Sequence, residues 1–271
     1  MSIKNGFHKK KTKGGMDRYG LAPEVGFRTG NSGVIPKRPT LVLIHGAGGS
    51  SHSFLPQIRG LDPFMNILAL ELPGHGNTPG PGRRSIASYT DWVHETLAGP
   101  FPEPFFLGGH SMGGAISLEM GLRFPNKIKG LILIATGAAL GVSPKLLTGL
   151  QEQPHQTISK INEWSYAKGT EPQVIAQSIQ LMEQTPVSVI QGDFQACNQF
   201  NRQDEVVGIK APTLILVGDQ DLMTPPGSSR FLQEKIPTSR LVVIPGSGHM
   251  IMLEKYKGIN QAIREFISQK A

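Results

Sequence analysis

The sequence predicts an α/β fold, a doubly wound and mostly parallel sheet that carries an inserted helical cap. Three observations predict it. Apolar runs of strand length alternate with helical patterns from Thr40 to Ala135 and again from Thr213 to Gln269. One such run, Phe105-Phe106-Leu107-Gly108, leads through the glycine-flanked turn Gly109-His110-Ser111-Met112-Gly113-Gly114 into a helical stretch ending near Phe124. The rhythm then breaks between Gly137 and Val206, where the chain is polar, Gln-rich and helical in pattern, with no strand-like apolar run.

In chain order, residues 1–39 read as a basic, mobile leader in which Lys9-Lys10-Lys11 and Gly14-Gly15 favour disorder and Glu24 to Arg28 suits one short strand. The first 40 residues carry nine of the 27 Lys/Arg and two of the 20 Asp/Glu, so the formal charge of +7 belongs to the leader and the body is neutral. A solvated tail is the simpler reading of that charge, and no nucleic-acid partner is expected. Thr40 to Ile44 is a buried strand ended by His45-Gly46-Ala47-Gly48-Gly49-Ser50. That turn fails both glycine-rich nucleotide motifs and instead offers bare backbone N–H groups at a strand end.

A helix over Ser53 to Leu61, a strand over Asn66 to Glu71 and the loop Leu72-Pro73-Gly74-His75-Gly76 follow. Ile86, Tyr89, Val93 and Leu97 then recur at helical spacing within Ser85 to Ala98. Leu131 to Ala135 is the next strand. Residues 137–206 form the expected cap, with helices over Pro144 to Leu150, Gln156 to Ala167, Pro172 to Glu183 and Pro186 to Cys197. The core, 40–136 and 207–271, closes with strands at Thr213 to Val217 and Leu241 to Ile244 and helices at Pro225 to Ile236 and Lys257 to Gln269.

No apolar run approaches the length of a membrane span, and no secretory signal follows the basic cluster. The single cysteine, Cys197, precludes an internal disulfide and suits a reducing, cytoplasmic setting. No metal signature or cofactor motif is present, so neither is expected.

The chemistry lies in the turns at the strand ends. A strand, a Gly-x-Ser-x-Gly turn and a helix in succession make the context that exposes a serine nucleophile, with glycines at 109 and 113 relieving the crowding beside it. A helix beginning at Ser111 aims its positive end at the serine oxygen. Serine needs a base to take its proton and a third group to orient that base. His249, in Pro245-Gly246-Ser247-Gly248-His249 after the last strand, can face Ser111, because ligand groups in open α/β sheets gather at strand C-termini. The acid lies after the strand Thr213 to Val217, where Asp219 and Asp221 compete.

His45-Gly46, the Leu72 to Gly76 loop, Gly109 to Gly114, Gly218-x-x-Asp221 and Gly248-His249, in the order Ser, Asp, His, resemble the α/β-hydrolase superfamily. The resemblance implies Ser111 as nucleophile, His249 as base and Asp221 as orienting acid. It implies the Ala47 and Met112 N–H groups as the oxyanion hole and His45 as a structural residue fixing its own loop, with Gly46, Gly109, His110 and Gly113 as support. The chain departs from the family's pattern where Glu71 opens a loop that usually opens with Asp, where Asn77-Thr78 end it, and where the leader barely supports a first hairpin.

Serine at 111 argues against the aspartate-dependent dehalogenases and epoxide hydrolases of that superfamily. It suits acyl transfer, and a histidine before the nucleophile resembles esterases and monoacylglycerol-lipase-like enzymes. The expected function is therefore a serine carboxylesterase acting on a small or medium uncharged acyl substrate. A thioesterase, a lactonase, a C–C bond hydrolase and a non-catalytic receptor of the same fold are the alternatives, and the oligomeric state stays open.

Overall fold

The computed structural model describes residues 19–98 and 103–270. Seven strands form one sheet: β1 (Phe27–Thr29), β2 (Thr40–Ile44), β3 (Asn66–Leu70), β4 (Phe105–His110), β5 (Ile128–Ile134), β6 (Thr213–Gly218) and β7 (Ser239–Ile244). Their order across the sheet is β1-β3-β2-β4-β5-β6-β7, with every pairing parallel except β1 against β3.

The period-two alternation of side chains divides each central strand between two cores. Val42 and Ile44 join the core beneath α2 (Ile86–Leu97), α3 (Met112–Arg123) and α8 (Pro226–Lys235), whereas Leu41 and Leu43 join that beneath α1 (Leu55–Leu61) and α10 (Tyr256–Ser268). Both faces of the sheet are covered, which is why its strands read as unbroken apolar runs. Helix α10 shows the matching pattern: Ile259, Ile263, Phe266 and Ile267 are buried along one stripe. A four-residue helix, α9 (Ile251–Glu254), precedes it.

Between β5 and β6 stand four helices, α4 (Pro144–Glu152), α5 (Pro154–Ser165), α6 (Pro172–Met182) and α7 (Val187–Gln199). A proline opens each of the first three, at a first-turn position whose N–H has no intrahelical acceptor, and Pro186 is the N-cap of the fourth. They share a core of Leu146, Leu150, Ile158, Ile161, Met182, Ile190 and Phe194, against which Ala47 and Met223 of the main body pack.

Of the mobile leader expected over residues 1–39, the described part, residues 19–39, is corrected by its packing. Residues 19–39 pack on the body: Tyr19 and Leu21 are buried, and the Tyr19 hydroxyl donates to the Ile67 carbonyl at 3.2 Å. Asn66 fastens the segment further, its Oδ1 accepting the Ile35 N–H at 2.8 Å. The tri-lysine and diglycine stretches lie outside the described residues. The strand expected at Glu24 to Arg28 corresponds to β1 (Phe27–Thr29), which alone precedes β2 among the described residues.

Glu71, Asn77 and Thr78 account for how that edge holds. The buried Glu71 carboxylate accepts from Ser51 Oγ at 2.6 Å and from the Asn77 N–H at 2.7 Å. Thr78 Oγ1 donates to the Glu71 carbonyl and accepts the Gly26 N–H beside β1.

Candidate active site

The chain runs from β2 outward to β3 and then crosses back to β4 on the other side of β2. That reversal leaves a crevice at the C-terminal ends of β2 and β4, where α/β sheets place their ligands. Ser111 follows β4 there and the turn beginning at His45 follows β2.

Ser111 has φ 53° and ψ −115°, a left-handed conformation uncommon for a residue with a side chain. The surroundings hold it on both sides. Its N–H donates to the Ile134 carbonyl at 2.9 Å, and its carbonyl accepts from Thr136 Oγ1 at 2.8 Å. The glycines around it are required by close approach. A Cβ at Gly109 would lie 2.0 Å from the Gly113 carbonyl oxygen, and one at Gly113 would lie 2.1 Å from that of Ile44. Both clashes are with backbone, so no rotamer relieves them. Gly113→Ala should therefore destabilise by about 3 kcal/mol, the upper end of overpacking costs. At roughly 2–4 °C per kcal/mol for a chain of this size, a calorimetric Tm should fall by about 6–12 °C. A Tm unchanged within 2 °C, about one kcal/mol or less, would show that α3 can shift off β2 freely.

His249 and Asp221 meet from two separate loops. His249 Nδ1 lies 2.9 Å from Asp221 Oδ2 and 3.1 Å from Oδ1, and both residues are buried. The carboxylate takes the ring Nδ1–H and leaves Nε2 as the basic nitrogen. Asp221 is tied further by the Met223 and Thr224 N–H groups at 2.9 and 2.8 Å and by Thr224 Oγ1 at 2.9 Å. Burial alone would raise the Asp221 pKa. The charge and hydrogen bond of His249 and the bonds from Thr224 outweigh it and hold the carboxyl below the usual range. Asp219 is exposed and instead accepts the Ser247 N–H at 3.3 Å, a turn contact.

His110 and His45 are held neutral. Burial, with the nearby His249, lowers the His110 pKa to about 3, and its Nε2–H donates to the His249 carbonyl at 3.1 Å. His45 is likewise lowered to about 3, by burial and then by His75. Its Nδ1–H donates to the Gly46 carbonyl at 2.9 Å while Nε2 accepts the Leu72 N–H at 3.1 Å, which joins the loops after β2 and β3. A Cβ at Gly46 would come within 3.3 Å of Ser111 Cβ, so this turn rests directly against the serine. The Ala47 and Met112 N–H groups have no acceptor among the described residues and belong to the two turns that meet at Ser111. The structure thus brings Ser111, His249, Asp221, Gly46, Ala47, Gly109, His110, Met112 and Gly113 to one place, with His45 behind them.

Ser111 and His249 open onto a cavity of about 620 Å³ between the sheet and the inserted helices. No Lys, Arg, Asp or Glu lines it among the described residues. Trp164, Val174, Leu181 and Leu222 line it and are also exposed to solvent, giving it an apolar rim. No grouping of three or more His, Cys, Asp or Glu among the described residues could hold a metal ion.

Several residues escape a sequence reading. Thr224 supports Asp221, and the Ser165 carbonyl at the end of α5 accepts the N–H groups of His249 and Met250 at 2.8 and 3.0 Å. Glu254 accepts from the N–H groups of Ala167 and Gly248 at 2.8 and 2.9 Å. Asp193 on α7 accepts the Gly48 N–H at 2.8 Å. A lone acidic residue among Ile190, Phe194 and Cys197 on one helical face was the available signal for Asp193.

Residues 41–262 match the alpha/beta hydrolase family. The pimeloyl-[acyl-carrier protein] methyl ester esterase of Yersinia enterocolitica is 25% identical over 244 residues, covering 84% of this chain and 93% of that one. A thermophilic esterase of known structure superposes with a TM-score of 0.81 at 28% identity, covering 91% of this chain and 94% of that one. The enol-lactonase of Burkholderia xenovorans LB400 superposes equally well, TM-score 0.81 over 90% of this chain and 96% of that one, and at 22% identity shares the fold alone.

Proposed function

We propose, since this chain belongs to the alpha/beta hydrolase family, that it cleaves a neutral carboxylic ester through an acyl intermediate on Ser111. The observation that carries this reading is the buried His249–Asp221 pair, 2.9 Å apart, at a cavity shared with a strained Ser111 on the N-terminus of α3. His249 Nε2 takes the Ser111 proton as Oγ bonds to the ester carbon. The carbonyl oxygen, now an anion, is met by the Ala47 and Met112 N–H groups and the helix dipole. His249 then gives the proton to the departing alkoxide, and a water activated by the same nitrogen releases the acid. Asp221 keeps the ring in the productive tautomer and stabilises the imidazolium.

Ester cleavage by the Yersinia relative and the thermophilic esterase supports this choice within the family. The inserted helices act as a cap that selects the substrate. A cavity of about 620 Å³ without charged lining residues suits an uncharged ester with an apolar acyl or alcohol part.

A panel of p-nitrophenyl esters graded by acyl length, run beside thioesters, lactones and an ester with a carboxylate at its acyl terminus, tests the assignment. Neutral esters should be the best substrates. The carboxylate should cost about 10-fold or more in kcat/KM, because nothing in the cavity compensates a buried charge. A fluorophosphonate should label Ser111. Labelling elsewhere, or equal turnover of the charged ester, would overturn the corresponding part.

A further inference from the structure

Asp193 lies at full burial on α7, and its carboxylate joins four parts of the chain. Oδ2 accepts the Gly48 N–H and His75 Nε2–H, each at 2.8 Å, and Oδ1 accepts the Tyr89 hydroxyl at 2.5 Å. His75 has acceptors on both sides, since its Nδ1 faces the Pro73 carbonyl at 3.0 Å. Only the doubly protonated ring donates to both. Burial works against that charge, but the hydrogen bond and charge of Asp193 prevail and raise the His75 pKa. The unit is therefore a buried network whose polar groups satisfy one another. Neutral His45 packs on it with ring centroids 4.7 Å apart, and burial raises the nearby Cys197 thiol.

A hydrophobic side chain of similar volume would fill this space without the cost of burying polar groups. It would not hold the Gly48 N–H. Gly48 has φ 64°, and Thr185 Oγ1, also from the inserted segment, donates to its carbonyl at 3.2 Å. Both polar groups of Gly48 are thus gripped by the insertion, one residue after Ala47.

We propose that Asp193 is a positioning residue for the reaction: by fixing the Gly48 peptide it keeps the Ala47 N–H aimed at the developing oxyanion. The inference rests on the proposed assignment of Ala47 and Met112 as oxyanion donors. It makes the inserted helices part of the catalytic frame.

Asp193→Leu fills the volume and removes every acceptor, whereas Asp193→Asn can still accept the Gly48 N–H through its amide oxygen. Turnover is measured per site titrated to completion with a fluorophosphonate, on a p-nitrophenyl ester and on the matching thionoester, whose sulfur accepts hydrogen bonds poorly. Asp193→Leu should lower kcat on the ester by about 10- to 100-fold, less than the loss of a whole oxyanion donor. Its KM should change by less than threefold, and the wild-type preference for ester over thionoester should shrink. Asp193→Asn should restore kcat to within about fivefold of wild type. If Asp193→Leu does not fold, Asp193→Ser is read in the same way.

A folded Leu or Ser variant whose kcat and ester preference both stay within twofold of wild type would overturn the positioning role. A Ser111→Ala protein whose kcat on the ester stays within about 10-fold of wild type would instead overturn the underlying assignment, whatever the Asp193 variants do.

Discussion

Ser111→Ala should lower kcat for a neutral ester by about 10⁴- to 10⁶-fold, and adding His249→Ala to it should cost almost nothing more. In the proposed mechanism the two losses do not add, because the residues perform one step. Without Oγ, His249 has no proton to take and no acyl group to release. Without His249, Ser111 is a hydroxyl with its ordinary weak nucleophilicity. Residual turnover should remain above the rate in water, since the Ala47 and Met112 N–H groups are untouched. Single-turnover kinetics on the two single variants and the double variant, with folding checked by calorimetry, make the measurement. Multiplying losses in the double variant would mean that the residues act in separate steps.

Asp221→Asn should cost up to about 10⁴-fold in kcat, whereas Asp219→Asn should leave kcat nearly unchanged. The asparagine at 221 keeps the shape of the contact at 2.9 Å but presents an amide that favours the wrong imidazole tautomer. At 219 the side chain is exposed and makes one long contact to the Ser247 N–H, which an asparagine oxygen also makes, so the stability change should stay within about 0.5 kcal/mol. The pH dependence separates the variants again. Because the folded-state pKa of Asp221 is depressed, its contribution to stability is present in full above the unfolded value of 3.8 and is lost as pH falls through the lower folded value. The stability gap between wild type and Asp221→Asn should accordingly narrow only in strong acid. An inactive but stable Asp219→Asn protein would move the acid to position 219.

The residues legible in the sequence are those whose signal is local. Gly109 and Gly113 flank Ser111 because a turn of that sharpness leaves no room for a Cβ, a demand written within five residues. The sheet strands announce themselves because burial on both faces makes them continuously apolar. Asp193 is different. Its partners Gly48, His75 and Tyr89 lie 145, 118 and 104 positions away, and the local trace, one acidic residue on an apolar helical face, identifies none of them. Ser165 acts through its backbone carbonyl, which any residue supplies, so its identity carries no message at all. The start of the body is hidden for a related reason. The run from Tyr19 to Pro39 lacks periodicity because Asn66 and Asp62 secure it through side chain–backbone bonds and β3 through backbone pairing, rather than through an amphipathic face.

The hydrogen bonds from Ser165 and Asp193 divide the inserted helices into two kinds of territory for anyone building variant libraries. Positions such as Val174, Gln177 and Leu181 line the cavity and lie outside the core that packs on Ala47 and Met223, so they can be randomised to explore new substrates with the proposed turnover machinery left intact. Asp193 offers no such freedom, because its side chain holds the turn that carries Ala47, and the backbone path of Ser165-Tyr166-Ala167 must be kept because its carbonyl and N–H groups hold the His249 loop. Breadth of specificity in this scaffold is accordingly accessible through α6. Exchanging whole insertions between relatives would carry the placement of the reacting groups along with the pocket.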